Sequence, residues 1–221
     1  MRFIFPKFIF SCILVFTVFL LSGCFSTLQT AKTSDGFSFT GGLYSYTIEK
    51  HSYPESHYED HYLLILMPRY GWAATEKKFG LEGGIRLVSD LLDQEKSGKP
   101  FWIFLEEFKL QIPRNRYLDL AFGVDFWLIL PGSVYILASK DLSKTFALYG
   151  SGELFGGLYS ITLGENKTGF YPKLTLGSEI NFYKNFSALI EIENWFNTGW
   201  DARENIRFAA GVKVIPAKRE K

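Results

Sequence analysis

The feature that most constrains the fold of this chain is a strict alternation of apolar and other side chains. In YLDLAFGVDFWLIL, residues 117–130, every second residue is large and apolar. One face would carry Leu118, Leu120, Phe122, Val124, Phe126, Leu128 and Leu130, and the other Tyr117, Asp119, Ala121, Gly123, Asp125 and Trp127. Successive side chains of a β-strand point to opposite faces, whereas a helix would scatter these apolar residues around its axis. The segment is therefore predicted to be a strand.

The same alternation recurs along the chain and predicts about ten strands. Their ranges are roughly 36–48, 60–73, 78–88, 101–112, 116–129, 133–139, 144–160, 170–183, 186–196 and 205–215. The sixth range has the weakest pattern, and merging it with a neighbouring loop would lower the count to eight. Four strands begin with an aromatic residue just after a short polar turn, in TEKKFGL, RNRYLDL, LSKTFAL and YKNFSAL. Their starts lie roughly 30 to 40 residues apart, which suits a run of β-hairpins.

The connections between these strands alternate in length. Short turns are predicted near residues 74–77, 113–116, 140–144 and 183–185, and longer polar loops near 50–59, 89–99, 164–169 and 197–204. This resembles bacterial outer-membrane barrels, which have short turns on the periplasmic side and long loops outside. The resemblance implies an all-β fold, an antiparallel up-and-down transmembrane β-barrel over residues 36–215, with a charged tail at 216–221.

Alternation does not tell which face of the sheet meets lipid, because a soluble periplasmic barrel or sandwich gives the same pattern. The predicted strands, of about 10 to 14 residues, are long enough for a tilted crossing of a bilayer. The apolar faces of the clearest strands carry almost no charge. Aromatic residues near strand ends predict girdles at the membrane interfaces: Tyr70, Trp72, Trp102, Trp127, Tyr183, Trp195 and Trp200. Because lipid offers no partner to an unpaired N–H or C=O group, such a sheet has to close on itself.

Three features depart from this pattern. Pro68 lies inside the second predicted strand and removes one ladder hydrogen bond. Glu106 and Glu107 are adjacent, so one carboxylate points to the lipid side unless it lies near a rim or a bulge. The last strand ends at Val214 and continues into a charged tail, without the terminal aromatic residue that outer-membrane barrels usually present for assembly.

The chain begins with a pattern typical of an export signal. Arg2 and Lys7 precede an apolar run over residues 8–21, and two small residues follow it. The run is shorter than the about 20 apolar residues that a membrane-spanning helix needs. Residues 1–23 are therefore predicted to be a cleaved signal peptide.

The signal ends in LSGC, residues 21–24, which resembles the lipobox of bacterial lipoproteins. The resemblance implies cleavage after Gly23, a diacylglycerol thioether on Cys24 and an acyl chain on the new amino end; no other cofactor is expected. Phe25, rather than Asp, follows Cys24, and by the sorting preference of the family this implies the outer membrane. Each buried CH2 group contributes about 0.8 kcal/mol, so several acyl chains would form a firm anchor. The alternative is a chance cysteine at an ordinary cleavage site.

Composition narrows the function classes further. Cys12 would leave with the signal and Cys24 would be lipidated, so the mature chain is expected to have no free thiol and no disulfide. The formal net charge of the whole chain is +1, which gives no case for a nucleic-acid partner. Outer-membrane lipids are the expected partners, together with other envelope proteins. Residues 24–35 are predicted to be a polar tether.

The ionisable residues fall mainly on the inward faces of the predicted strands. The predicted lumenal network consists of Glu82, Arg86, Asp119, Asp125, Glu153, Glu179, Glu191, Glu193, Arg207 and Lys213, with Arg69, Glu107 and Lys109 on the same faces. A barrel of eight to ten strands has an interior about filled by side chains, and charges there have to pair or be hydrated. We predict a cross-linked polar core. The alternative is a narrow pore or a small polar ligand site, and a pore would favour cations because acids outnumber bases.

The histidines are the second candidate for chemistry. All three, His51, His57 and His61, lie in HSYPESHYEDH, with Ser52 and Asp60 among them. Histidine beside serine and a carboxylate could serve acyl transfer or hydrolysis, and histidine with carboxylates could hold zinc. No residue pattern of such enzymes is matched, so the segment is predicted to be a solvated surface loop without a metal.

These observations together favour a lipid-anchored outer-membrane β-barrel with a structural or surface-interaction role and no established catalysis. One alternative is a barrel enzyme that acts on lipid A or phospholipid through the histidine segment. Another is a soluble periplasmic ligand-binding lipoprotein.

Overall fold

Ten β-strands form a closed antiparallel barrel in the computed structural model. The structure describes residues 28–52, 55–91, 102–127, 130–155, 171–196 and 206–216. The strands are β1 (Gly36–Ser52), β2 (Glu55–Trp72), β3 (Gly80–Asp90), β4 (Ile103–Gln111), β5 (Asp119–Trp127), β6 (Leu130–Asp141), β7 (Phe146–Phe155), β8 (Tyr171–Tyr183), β9 (Phe186–Trp195) and β10 (Ile206–Val214). Each strand pairs with its neighbours in the sequence, and β1 closes the barrel against β10. The predicted all-β, up-and-down barrel of ten strands is confirmed.

The connections that the structure describes completely all lie at one end of the barrel. The turns after β2, β4, β6 and β8 lie at this end, where β1 also begins and β10 ends. Asn115 shapes one of them, because its side-chain oxygen accepts hydrogen bonds from the backbone N–H groups of Tyr117 and Leu118, at 2.8 and 2.9 Å. We call this end of the barrel the short-turn end and the opposite one the long-loop end.

The predicted loop at residues 50–59 is wrong, because this segment belongs to a long hairpin. β1 and β2 stay in register up to the pair Ser52↔Glu55, whereas β1 pairs with β10 only up to Ser45 and β2 pairs with β3 only from Leu63. Backbone pairing at a hairpin that projects beyond a barrel needs no apolar face, so alternation gives no signal there. We call residues 46–52 and 55–62 the projecting hairpin.

The outward face of the barrel is apolar over most of its described surface. Its exposed side chains include Leu43, Leu81, Ile85, Phe104, Phe108, Phe122, Ile136, Leu148, Leu174, Leu176, Ile180, Ile190, Ile192, Phe208 and Val212. Soluble proteins rarely expose such a continuous apolar surface, and every second residue of the strands contributes to it. No helix among the described residues is long and apolar enough to cross a bilayer.

The predicted aromatic girdle is present at the short-turn end, with one correction. Tyr70, Trp72 and Tyr183 are exposed there, and the rings of the first two meet edge to face with centroids 5.8 Å apart. Trp195 was predicted to lie in a girdle, but it is 5% exposed and points into the lumen. Its place in β9 follows the strand alternation, which puts it on the same face as Glu193. The side chain of Trp127, and Trp200, lie outside the described residues, and Trp102 is half-buried.

The departures from the barrel pattern are accommodated locally. Pro68 pairs with Phe39 of β1 within a continuous ladder, whereas the described ladder between β2 and β3 skips Met67 and Pro68. Glu107 is buried in the lumen, whereas Glu106 is exposed on the outward face near the long-loop end of β4. The neighbouring strand β5 has its register irregularity opposite this site, between Asp125 and Phe126.

Candidate functional site in the barrel lumen

Residues 28–35, for which the sequence predicts a polar tether, lie inside the barrel. Leu28, Gln29, Thr30 and Ala31 are almost completely buried. The segment runs from the middle of the lumen to the short-turn end, where Gly36 begins β1 with a φ of 92°. Glycine adopts this left-handed conformation without steric cost. We call residues 28–35 the lumenal segment.

The ammonium group of Lys109 holds the centre of the lumenal segment. It donates hydrogen bonds to the side-chain oxygen of Gln29 at 3.1 Å, the carbonyl oxygen of Thr30 at 3.3 Å and the carbonyl oxygen of Lys32 at 3.1 Å. It also lies 2.8 Å from a carboxylate oxygen of Glu82. One buried cation therefore binds three oxygens of the segment while its charge is balanced by the barrel wall.

Two further wall residues bind the backbone of the segment near the short-turn end. The Oε1 atom of Gln111 accepts hydrogen bonds from the backbone N–H of Thr33 at 2.8 Å and from its hydroxyl at 3.0 Å. The Oε2 atom of Glu82 accepts one from the backbone N–H of Ser34 at 2.8 Å. These contacts satisfy buried backbone N–H groups that an irregular segment cannot pair within itself.

The deep end of the lumenal segment enters an apolar chamber. The side chain of Leu28 packs in the larger of two buried apolar clusters, which includes Tyr44, Tyr46, Leu63, Ile65, Met67, Val88, Leu105, Tyr149, Leu189 and Ala209. Gly42 leaves the space for it, because a Cβ atom there would lie 2.5 Å from Cδ1 of Leu28. The lumen is thus apolar at this level and charged elsewhere.

The first charge cluster connects five strands, β2 to β6, at the level of Gln29. Arg69 lies 3.2 Å from Glu107, and Arg86 lies 3.1 Å from Asp125 and 3.5 Å from Glu107. The hydroxyl of Tyr135 donates to Glu107 at 2.9 Å. All these side chains are almost fully buried, so the ion pairs replace the hydration that the charges lose.

A second charge cluster lies on β7, β8 and β9. Lys173 lies 2.8 Å from Glu153 and 3.0 Å from Glu193. Beside it the guanidinium carbon of Arg207 sits 4.0 Å from the centre of the Trp195 ring, a cation–π contact. Two further contacts lie on the lumenal face, Lys213 with Glu179 at 3.1 Å and Tyr149 with Glu191 at 2.9 Å.

The ten residues of the sequence-predicted network all lie on the inward faces of their strands. Asp119 and Arg207 are half-buried and the other eight are buried. Sequence reasoning missed Lys173, although it precedes Leu174 and so falls on the inward face of β8 by alternation. It also missed Gln111 and Tyr135, which carry no formal charge and gave no signal of their own.

The structure separates the members of the histidine segment that it describes. His61 is buried, with Nδ1 2.9 Å from Oδ2 of Asp90 and Nε2 3.9 Å from Glu59, and its ring stacks on Tyr46 at 5.1 Å. Asp60 is exposed and accepts a hydrogen bond from Thr47 at 2.8 Å. As neighbours in a strand, His61 and Asp60 point to opposite faces and do not form one site.

The other members of the predicted enzyme site lie in the projecting hairpin. His51 and His57 belong to β1 and β2, where they pair with Ser56 and Lys50. Their side chains and that of Ser52 lie outside the described residues, as does Cys24. Among the side chains that are described, no group of three or more His, Cys, Asp or Glu is arranged to hold a metal ion.

Comparisons with known proteins find solved structures that are similar to this chain over most of its length. No family model matches this chain, and no curated protein matches it. One similar solved structure is a KdgM porin in complex with disordered oligogalacturonate, at 10% identity and a TM-score of 0.47, covering 82% of this chain and 99% of that one. Another is the NanC porin, at 9% identity and a TM-score of 0.44, covering 81% and 100%.

A third solved structure is the translocator domain of the autotransporter NalP from Neisseria meningitidis. It is 9% identical with a TM-score of 0.41, and the match covers 83% of this chain and 89% of that one. At this level of identity and TM-score, the similar structures assign neither a ligand nor an activity to this chain.

Proposed function

We propose that this chain is an outer-membrane β-barrel with a filled lumen, a lipid anchor at Cys24 and a structural or surface-interaction role. The observation that carries the proposal is that apolar side chains face outward and charged side chains face inward, which is the reverse of a soluble protein. Large apolar side chains cover the outside, while most of the described ion pairs lie buried within the lumen. In water this arrangement would expose apolar surface and desolvate charge at the same time, whereas acyl chains solvate the outside favourably.

The filled lumen supports an anchoring or scaffolding role rather than that of an open channel. The lumenal segment and the two charge clusters occupy the space between the strands. A ten-stranded barrel has only slightly more interior than an eight-stranded one, which side chains alone fill.

The projecting hairpin supports a role in contact with other molecules. Seven residues of β1 continue past its last pair with β10, so the hairpin extends about 23 Å beyond that pair at ~3.3 Å per residue. Tyr58 and Tyr62 are exposed on it. Tyrosine offers both apolar area and a hydroxyl group, which suits a protein or lipid headgroup as a partner.

We expect the chain with its lipid removed to precipitate from buffer without detergent and to stay dispersed in detergent. In detergent, the unboiled protein should run faster on a gel than the boiled protein, because a closed barrel stays compact. Both are measured on the chain from residue 25 onward, which carries no Cys24. A protein that remains dispersed and monomeric in plain buffer would contradict the membrane assignment.

Mass spectrometry of the mature protein should show a diacylglycerol group and one acyl chain on Cys24. Cys24→Ser should abolish this mass and leave the signal uncleaved, because the thioether needs the sulfur. Cys12→Ser, in the segment that is removed, is the matched control and should leave the mature mass unchanged. The Cys24→Ser chain should still sediment with membranes, through its retained apolar signal segment as well as through the barrel. A wild-type amino end without lipid would overturn the proposed anchor.

A further inference from the structure

We propose that the lumen wall is a binding site for an extended peptide, and that the lumenal segment is the ligand that occupies it in cis. The site is formed by side chains of β3, β4 and β6, and the ligand is formed by residues that precede β1. The inference goes beyond the proposed membrane role, since a barrel can be filled without a separable ligand.

The wall recognises main-chain atoms that any extended peptide offers. The carbonyl oxygens of Thr30 and Lys32 accept from Lys109, and the N–H groups of Thr33 and Ser34 donate to Gln111 and Glu82. Four main-chain groups, which belong to three peptide units, thus bind three buried side chains. Pairing of this kind gives affinity that does not depend on the ligand's side chains.

Three positions of the segment add sequence preference. Gln29 donates to Tyr135 at 3.0 Å and to the carboxylate of Glu107, so this position requires a hydrogen-bond donor. Leu28 fills the apolar chamber. Ala31 packs in a small buried cluster with Ala121, Tyr135 and Leu137, so only a small side chain fits. The site therefore selects an apolar residue, an amide residue and a small residue at the first, second and fourth positions.

The wall holds these side chains in place without help from the segment. Lys109 is ion-paired with Glu82 at 2.8 Å, Gln111 donates to Asp119 at 3.2 Å and Tyr135 donates to Glu107 at 2.9 Å. A site whose groups are already oriented loses little entropy on binding. The site therefore persists when the lumenal segment leaves, and it accepts the same sequence in trans.

The test uses the chain from residue 25 onward in detergent, which has no cysteine of its own, with the cis segment weakened by Leu28→Asp and Gln29→Glu. These changes place one carboxylate in the apolar chamber and another against Glu107. A further change, Ala31→Cys, reports withdrawal of the segment, because this position is 0% exposed and a thiol there should react with maleimide only after withdrawal. Asp141→Asn is the matched control, since it removes the half-exposed ion pair with Lys32 from outside the site and should leave the thiol protected.

The binding probe is a fluorescent peptide with the sequence of residues 25–35, followed by anisotropy. It should bind the weakened chain at least about tenfold more tightly than the wild type, in which the site is already occupied. The same peptide carrying Gln29→Glu should bind at least about tenfold more weakly. Heat-dependent gel migration shows separately that the barrel is folded.

Three results would overturn the proposal. The thiol could stay protected in the weakened chain, which would make the segment an inseparable part of the core. The thiol could react while the folded barrel binds no peptide. The peptide could bind wild type and weakened chains equally, which would place its site elsewhere. In each case an unchanged gel shift leaves the membrane barrel itself standing.

Discussion

Replacing Arg86 with methionine is expected to lower the free energy of unfolding by about 3–5 kcal/mol. Arg86 is 0% exposed and lies between Asp125 at 3.1 Å and Glu107 at 3.5 Å. Methionine keeps a similar length and removes the charge, which leaves two buried carboxylates near one another with Arg69 as the remaining cation beside Glu107. Removing one partner of a buried pair costs more than the pair itself contributes, because the remaining charge is not rehydrated.

Urea unfolding in lipid vesicles, followed by tryptophan fluorescence, measures this change. Lys78→Met, in the exposed turn after β2, removes the same number of charges and should change the free energy of unfolding by less than about 0.5 kcal/mol. Adding Asp125→Asn to the Arg86 variant should restore part of the lost stability, because it removes one of the two buried carboxylates that have lost their contact with Arg86. A loss below about 1 kcal/mol for Arg86→Met would mean that water reaches this cluster and that the lumen is not filled there.

The strands could be predicted from the sequence because alternation is a local property. The segment at residues 117–130 shows its two faces without reference to any other part of the chain. Trp195 is a position where two sequence rules disagree, namely the clustering of aromatic residues near strand ends and the alternation of side chains along a strand. Its position near a strand end suggested a girdle, but it shares its face with Glu191 and Glu193, and the alternation of the strand prevailed.

The lumenal segment could not be predicted, because its burial depends on partners far away in the sequence. Gln29 meets Lys109 across 80 residues, and Ser34 meets Glu82 across 48. The segment itself is polar and has no period, which is also the pattern of a solvated linker. Lys109, Gln111 and Glu82 lie together on the paired strands β3 and β4, but only the folded barrel brings the lumenal segment against them.

The projecting hairpin escaped prediction for a related reason. Alternation reports contact of one face with lipid or with a core, and of the hairpin side chains that the structure describes only Tyr46 and His61 are buried. The pairing of His51 with Ser56 is held by backbone hydrogen bonds, which every sequence without proline can make. Its strands are therefore visible in the register of the ladder and not in the composition of the segment.

A charge placed in the middle of the outward face is expected to have the most different effects on the stability of a membrane barrel and of a soluble one. Leu176 is 62% exposed, near the middle of β8, and pairs with Gly150 and Ile192 on the flanking strands. In water, Leu176→Arg would replace an exposed apolar side chain with a solvated one and would leave stability unchanged or raise it. At the centre of a bilayer the same change costs about 2–4 kcal/mol, because the guanidinium group loses its hydration.

We therefore expect Leu176→Arg to lower the free energy of unfolding in phospholipid vesicles by about 2–4 kcal/mol. The measurement is a urea titration of the heat-dependent gel band. Tyr183→Arg is the matched control, since Tyr183 ends the same strand at the short-turn end and is 69% exposed, where a charge should cost only about 0–1 kcal/mol. The free-energy difference between these two variants reports depth in the bilayer, because both changes add the same group to an exposed position of one strand. Equal effects of the two changes would mean that the whole outward face meets a single solvent. If that solvent were water, the apolar surface of the barrel would need another explanation.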